Sequence, residues 1–215
     1  VDFLFRLLDR FRPDAVLEPR TLDVGPSGRP AVILAHGAGG HRDHPHILDL
    51  EALLAKLGLS VFRFNFPFTA AGRKLPDRMP VLIQAYRDMA EKVQAEEKPD
   101  RLFLAGHSLG ARTATLLAAE GYPCSGLILF SYPLHPPGKP EKLRADHLAE
   151  IKAPVLSLSG TRDEFCTPAL MEKTIQPLKS WTHHWLEGAD HGLQVLKKSG
   201  RTRADVMAEA EAAGR

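Results

Sequence analysis

Cysteine is scarce in this 215-residue chain, with two residues, Cys124 and Cys166. Two thiols make one bridge at most, and their spacing suits neither a disulfide framework nor a zinc site. Reduced, buried thiols in a cytoplasmic protein are the expectation. Excess charge is lacking too: 28 Lys and Arg stand against 26 Asp and Glu, a net of +2. A dedicated nucleic-acid or membrane-surface binder would show a concentrated basic face, so neither partner is expected. No apolar run approaches the roughly 18–20 residues that cross a bilayer. The leading stretch VDFLFRLLDRFRPDAVLEPR is interrupted by Arg6, Asp9, Arg10 and Arg12, so it has no unbroken secretory core. Phe3, Leu4, Leu7, Leu8 and Phe11 instead predict a short amphipathic helix within an N-terminal extension, residues 1–19. Internal repeats and linkers are also missing, which leaves one domain over residues 20–198 and a C-terminal helix or tail over 199–215.

What is present is an alternation. Hydrophobic residues make up 44% and charged residues 25%, ordinary for a globular chain long enough to bury a core. Short β-like runs, several of them continuously apolar, predict strands at Ala31–His36, Ser60–Phe66, Arg101–Gly106, Gly126–Ser131, Pro154–Gly160 and Trp181–Glu187, with an edge strand at Arg20–Val24. Helical stretches fall between them at His46–Leu57, Pro80–Glu97, Leu109–Glu120, Glu141–Ile151, Pro168–Leu178 and Gly192–Lys198. Strand–helix alternation of this kind predicts an α/β fold, a mostly parallel sheet with helices on both faces. The Ala/Glu-rich tail carries no evident chemistry.

In such sheets the functional loops lie at the carboxyl ends of the strands. One strand exits into Gly106-His107-Ser108-Leu109-Gly110 and runs on as a helix. That is the context in which G-x-S-x-G forms a nucleophile elbow, the small residues allowing a tight strand-to-helix turn. A serine hydroxyl needs a base to take its proton and a third group to orient the base. Asp163 follows the strand ending at Gly160, and His191 follows the strand ending near Glu187, giving the chain order serine, acid, histidine. Asp190 is the direct neighbour of His191 and is poorly placed to orient it. His183 and His184 lie inside a strand, Cys166 is not on the elbow, and His107, just before the serine, reads as a packing position or one that supports the site from behind.

The loop HGAGGHRDHPH invites a metal reading through His36, His41, Asp43, His44 and His46, but the spacing matches no standard ligand pattern. Neither G-x-G-x-x-G nor a Lys-Ser/Thr pair supports nucleotide binding. An oxyanion hole fits the glycines better: one backbone N–H from Leu109, after the serine, and a second from Ala38, with Gly39 next in line. No metal and no cofactor are called for.

The stretches HGAGG, FRFNFPF, GHSLGAR, YPLHPPGKPEKLRADHL, GTRDEF and GADHGL resemble the α/β-hydrolase superfamily over roughly residues 20–198. More narrowly, they are similar to the small dienelactone-hydrolase-like group of testis-expressed and histone-acetyltransferase-complex proteins, with His107 where many relatives carry arginine. The resemblance implies an α/β-hydrolase fold and a triad of Ser108, Asp163 and His191 acting on a small acyl substrate. It equally admits a non-catalytic interaction module on the same fold. The interval from Ser131 to Pro154 leaves no room for a large lid domain. Tyr132, Leu134 and Phe68 are expected to offer apolar surface near Ser108.

Overall fold

Among the described residues the expected runs become six parallel strands: β1 (Ala31–Ala35), β2 (Ser60–Phe64), β3 (Leu102–His107), β4 (Gly126–Phe130), β5 (Val155–Gly160) and β6 (Trp181–Leu186). They form one sheet in the order β2-β1-β3-β4-β5-β6, every neighbouring pair parallel. The computed structural model describes residues 29–215. The helix expected within 1–19 and the edge strand at Arg20–Val24 lie outside the described residues. The chain places β2 on one side of β1 and then crosses to place β3 on the other, so the order reverses between β1 and β3. Crevices for ligands open at the carboxyl end of such a reversal.

The helices are α1 (Pro45–Lys56), α2 (Pro67–Ala70), α3 (Met79–Glu97), α4 (Leu109–Ala119), α5 (Pro168–Ile175) and α6 (Arg203–Gly214). Proline sits in the first turn of α1, α2, α3 and α5, where its fixed φ suits the helix and its missing N–H costs nothing. Among the described residues, no helix is long and apolar enough to cross a membrane.

Alternation along the strands divides the core into two layers. Ala31, Ile33, Ala35, Leu104 and Leu129 face Leu82, Tyr86 and Ala90 of α3 and Ala111, Ala114 and Leu117 of α4. Val32, Leu34, Phe103, Ala105, Ile128 and Phe130 face Ile47, Leu50 and Leu54 of α1 and Val206 and Ala210 of α6. Both faces are covered, which is why the inner strands β1, β3 and β4 read as apolar runs. Each fully buried Leu, Ile or Phe contributes about 1.5–3 kcal/mol.

Two expected helices do not form. Over Glu141–Ile151 there is a single 3₁₀ turn, Leu148–Glu150. The Arg144 N–H donates to Leu134 O (2.7 Å), and Arg144 O accepts from the Tyr132 hydroxyl (2.5 Å). These bonds fold the segment back on the proline-rich turn before it and take backbone groups that a helix would need. Over Gly192–Lys198 the chain makes a turn instead, with Leu193 at φ +57° and an isolated bridge between Ala189 and Val195. A 3₁₀ turn follows at Lys197–Ser199.

Three glycines let backbone meet backbone at the upper edge of the sheet. A Cβ on Gly106 would lie 2.3 Å from the carbonyl carbon of Gly110, one on Gly110 would lie 2.3 Å from Ala35 O, and one on Gly160 would lie 2.0 Å from Ala189 O. None of these neighbours is a side-chain tip that can swing aside. Gly110→Ala and Gly160→Ala are each expected to lower the unfolding free energy by about 2–3 kcal/mol. Gly39→Ala, with nothing within 4 Å of the added carbon, is expected to stay within about 0.5 kcal/mol. Urea unfolding of the three variants checks the ranking.

Candidate active site

Strand β3 ends at His107, and α4 begins one residue after Ser108. Ser108 itself holds φ +52°, ψ −111°, a conformation that costs a side-chain-bearing residue about 1–3 kcal/mol. Its N–H donates to Phe130 O (3.0 Å), and its carbonyl accepts from Arg112 N–H (3.0 Å). Sheet and helix thus hold the elbow from both sides and keep the hydroxyl proud of the edge.

The structure brings Asp163 and His191 to this hydroxyl. His191 Nε2 lies 2.8 Å from Ser108 Oγ, and His191 Nδ1 lies 2.9 Å from both carboxylate oxygens of Asp163. A carboxylate accepts, so Nδ1 carries the proton and Nε2 presents its lone pair to the serine. The Asp163 side chain is fully buried and that of His191 is 21% exposed. Gly160 makes the meeting possible, because its bare Cα admits Ala189 and the turn that carries His191. Phe165 N–H donates to Asp163 Oδ1 (2.8 Å), and the Phe165 ring stacks on the His191 ring at 4.2 Å and 29°.

The other candidates have different work. Asp190 Oδ1 accepts from the N–H groups of Gly192 and Gln194, both at 2.9 Å, so it builds the turn. His183 Nδ1 lies 2.6 Å from Ser157 Oγ, which also accepts from Trp181 Nε1. His184 pairs with Glu209 at 3.1 Å. Cys124 and Cys166 are unpaired, and burial pushes the Cys166 thiol up to about 12, which makes it inert.

In the loop after β1, His36 is fully buried. Its Nε2 accepts from Phe66 N–H (3.2 Å), so its Nδ1 donates to Gly37 O (2.7 Å). The same carbonyl accepts from Gly40 N–H (3.1 Å). A trans peptide points its N–H opposite its carbonyl, so the Ala38 N–H faces away from His36 and Gly40. Gly37 abuts the elbow: a Cβ there would lie 3.4 Å from Ser108 Cβ. Ala38 and Gly39 form the tip, and Leu109 N–H is the first of α4, with no intrahelical acceptor available to it. His41, Asp43 and His44 are exposed. His44 Nδ1 caps α1 by accepting from His46 N–H, and Asp43 pairs with Arg63 at 2.8 Å. Among the described residues, no three His, Cys, Asp or Glu side chains are grouped to hold a metal.

One expectation needs correcting. Tyr132, Leu134 and Phe68 are at most 1% exposed and belong to the core layer beneath α3 and α4. The Tyr132 hydroxyl is spent on Arg144 O. They support the edge from below and line no open wall.

His107 supports the site as expected, but sequence reasoning missed the parts played by His46, Arg203 and Phe165. His107 Nε2 donates to His191 O (2.8 Å), and the edge of His46 packs against the His107 ring at 4.3 Å. Arg203 of α6, a helix expected to carry no chemistry, reaches His46, Gly192 O and Leu193 O. Phe165 at least stood inside GTRDEF; nothing in the sequence links Arg203 to residues more than 150 positions away.

Burial is the main force that keeps these imidazoles neutral. It pushes His46 down to about 2, aided by the charges of its neighbours, and His107, His147 and His183 down to about 4. Each lies below the unfolded value of about 6.5, so the unfolded chain takes up protons first as pH falls. The sign follows: stability is full above about pH 6.5 and declines from there toward pH 4. Each histidine adds about 1.4 kcal/mol per pH unit of slope within its window. Urea unfolding between pH 7 and 5 is expected to show this multi-proton decline, and a flat profile would contradict it.

Comparison with known proteins agrees with this architecture. Two uncharacterized proteins of Mycobacterium tuberculosis, from strains CDC 1551 and H37Rv, are each 29% identical over 167 residues, covering 70% of this chain. The chain spans 58% of the length of these curated relatives. A Xanthomonas campestris protein described as an α/β serine hydrolase without lid superposes with a TM-score of 0.68 at 23% identity, covering 86% of this chain and 81% of the other. A dienelactone hydrolase of Anabaena variabilis gives a TM-score of 0.65 at 19% identity, over 86% and 85% of the two chains. At these identities the likeness is one of fold, and among the described residues no separate lid body stands over the sheet. The family model for the alpha/beta hydrolase domain runs from residue 28 to residue 214, through every strand and helix traced above, and the chain belongs to that family.

Proposed function

We propose that this protein is a serine hydrolase that cleaves a small ester or related acyl compound through an acyl-enzyme. The observation that carries the reading is the unbroken line from Asp163 through His191 to Ser108, at 2.9 and 2.8 Å, ending on a strained elbow. In the proposed cycle Ser108 Oγ attacks the substrate carbonyl carbon while His191 Nε2 takes its proton. Asp163 holds the ring and stabilises the imidazolium. The oxyanion draws on the N–H groups of Leu109 and Ala38, with Gly39 as the alternative donor; one such donor is commonly worth about 3–4 kcal/mol. Collapse expels the leaving group, which takes the proton from His191. Water then repeats the sequence on the acyl-serine and releases the acid. No cofactor enters these steps.

With Tyr132, Leu134 and Phe68 committed to the core, the substrate meets a shallow edge, and short acyl chains suit it best. The narrower likeness to the testis-expressed and histone-acetyltransferase-complex proteins is part of the same proposal, carried by FRFNFPF and the proline-rich segment. So is a cytoplasmic location, which the two unpaired cysteines support.

A fluorophosphonate probe is expected to label the protein, and Ser108→Ala to abolish that label. Hydrolysis of p-nitrophenyl acetate by Ser108→Ala should fall by several orders of magnitude, as when members of a triad act as a unit. Asp163→Asn is expected to cripple turnover, whereas Asp190→Asn loses far less, since it keeps an oxygen for the turn. A wild-type protein that takes no probe would favour the non-catalytic module. Among p-nitrophenyl esters from acetate to palmitate, the short ones should be the better substrates, and a maximum at long chains would rule out the shallow edge.

A further inference from the structure

Three successive carbonyl oxygens, those of His191, Gly192 and Leu193, are each taken by a side chain from outside the turn, on β3 or α6. His107 Nε2 donates to the first at 2.8 Å. Arg203 Nη1 donates to the second at 2.8 Å and to the third at 3.3 Å. His46 joins the two donors: its Nδ1 accepts from Arg203 Nη2 at 2.6 Å, and its ring meets the His107 ring edge-on at 4.3 Å. The other side of the guanidinium is anchored on α1, where Nε donates to Asp49 Oδ2 at 2.9 Å. All three nitrogens of Arg203 are therefore in use, Nη2 lying 2.9 Å from Asp49 Oδ2 as well as against His46.

The turn they hold has reason to need holding. Leu193 is fully buried in a left-handed conformation at φ +57°, unfavourable for a residue with a branched side chain. Local bonds to Asp190 close the turn from within: Leu193 N–H donates to Asp190 O, and Asp190 Oδ1 takes the N–H groups of Gly192 and Gln194. Those bonds give the turn its shape but do not fix where it sits over Ser108. The external donors do that, and of these only Arg203 spans from α6 to α1 and the turn at once.

We infer that Arg203 is a positioning residue for His191: with His46 and His107 it clamps the backbone of the histidine turn, so that the start of α6 sets the register between His191 and Ser108. The inference rests on the serine-hydrolase reading for its kinetic consequence, but not for its structural one. A shift of the ring by about 1 Å can cost on the order of 10²-fold in rate, while binding of a small ester, which does not touch Arg203, is left alone. Lysine is no substitute, because one ammonium cannot serve Asp49, His46 and two carbonyls together.

Arg203→Lys and Arg203→Met provide the test, with Arg201→Met as the control. Arg201 sits at the same end of α6 but bonds Glu187 O and Glu209, away from the turn. Both Arg203 variants are expected to lower kcat for p-nitrophenyl acetate at least tenfold with KM within about threefold. The amides of Gly192, Leu193 and Gln194 should exchange faster with deuterium, and the control should keep wild-type values. A folded Arg203 variant with wild-type kcat and unchanged exchange in the turn overturns the inference. So does a loss of activity that merely follows the unfolded fraction. Where Arg203→Met fails to fold, Arg203→Lys decides. Where the wild type neither labels nor turns over, the hydrolase reading falls, and exchange at residues 192–194 alone decides whether Arg203 holds the turn.

Discussion

Backbone touching backbone at the upper edge of the sheet is the constraint on which the rest of this molecule depends. Gly106 and Gly110 let α4 lie directly on β3 and β1, and Gly160 lets the chain around Ala189 rest on the end of β5. A hydrogen bond tolerates a few tenths of an ångström. Separating these contacts by the width of a methyl group would therefore part His191 from Ser108. The strain at Ser108 is tolerable for the same reason, since a turn fixed on one side by Phe130 O and on the other by α4 has no room to relax.

Histidine is the second theme. The chain has 10 of them, and several of the buried or half-buried ones serve as connectors between backbone and side-chain groups far apart in the chain. His36 links Phe66 N–H to Gly37 O. His135 lies between Pro136 O and Thr167, and His147 bonds Thr115 of α4. An imidazole suits such positions because burial removes its charge at modest cost, while its two nitrogens keep their directions. A loop rich in histidine thus needs no metal to account for it. His36 shapes the glycine turn, His44 caps α1, and His46 packs beneath His107.

The upper edge consequently reads as two supported halves. Ser108 and the Gly37–Gly40 turn belong to β3 and β1, at the reversal of strand order, and are braced by the core layer that contains Tyr132 and Phe68. Asp163 and His191 belong to the exits of β5 and β6, braced by Phe165 on one side and by His107, His46 and Arg203 on the other. The two halves meet at the hydrogen bond between His191 Nε2 and Ser108 Oγ and, behind it, at the one from His107 Nε2 to His191 O.

Much of this was legible in the residues. Apolar runs marked the inner strands β1, β3 and β4 because a sheet covered on both faces leaves no polar side to interrupt them, while the edge strands β2 and β6 carry Arg63, His183 and His184 and were marked by their place in the alternation. Proline, glycine and the strand–helix alternation marked α1, α3 and α4 to within a residue, and α5 at its start but three residues too long. Ser108, Asp163 and His191 stood out because strand exits are where such a fold exposes side chains. The sequence was misleading where long-range bonds outbid local propensity. Arg144 gave its backbone to Leu134 and Tyr132, so the helix over Glu141–Ile151 did not form, and Asp190 with a left-handed Leu193 made a turn of Gly192–Lys198. The apolar residues near the elbow looked like a wall and are core, because their burial depends on how α3 and α4 cross above them. Arg203, His46 and His107 converge from three separate elements. Periodicity and composition act over a few residues and so determined the elements and their order. Which side chains meet at the histidine turn depends on packing between elements far apart in the chain, and only the folded structure decided it.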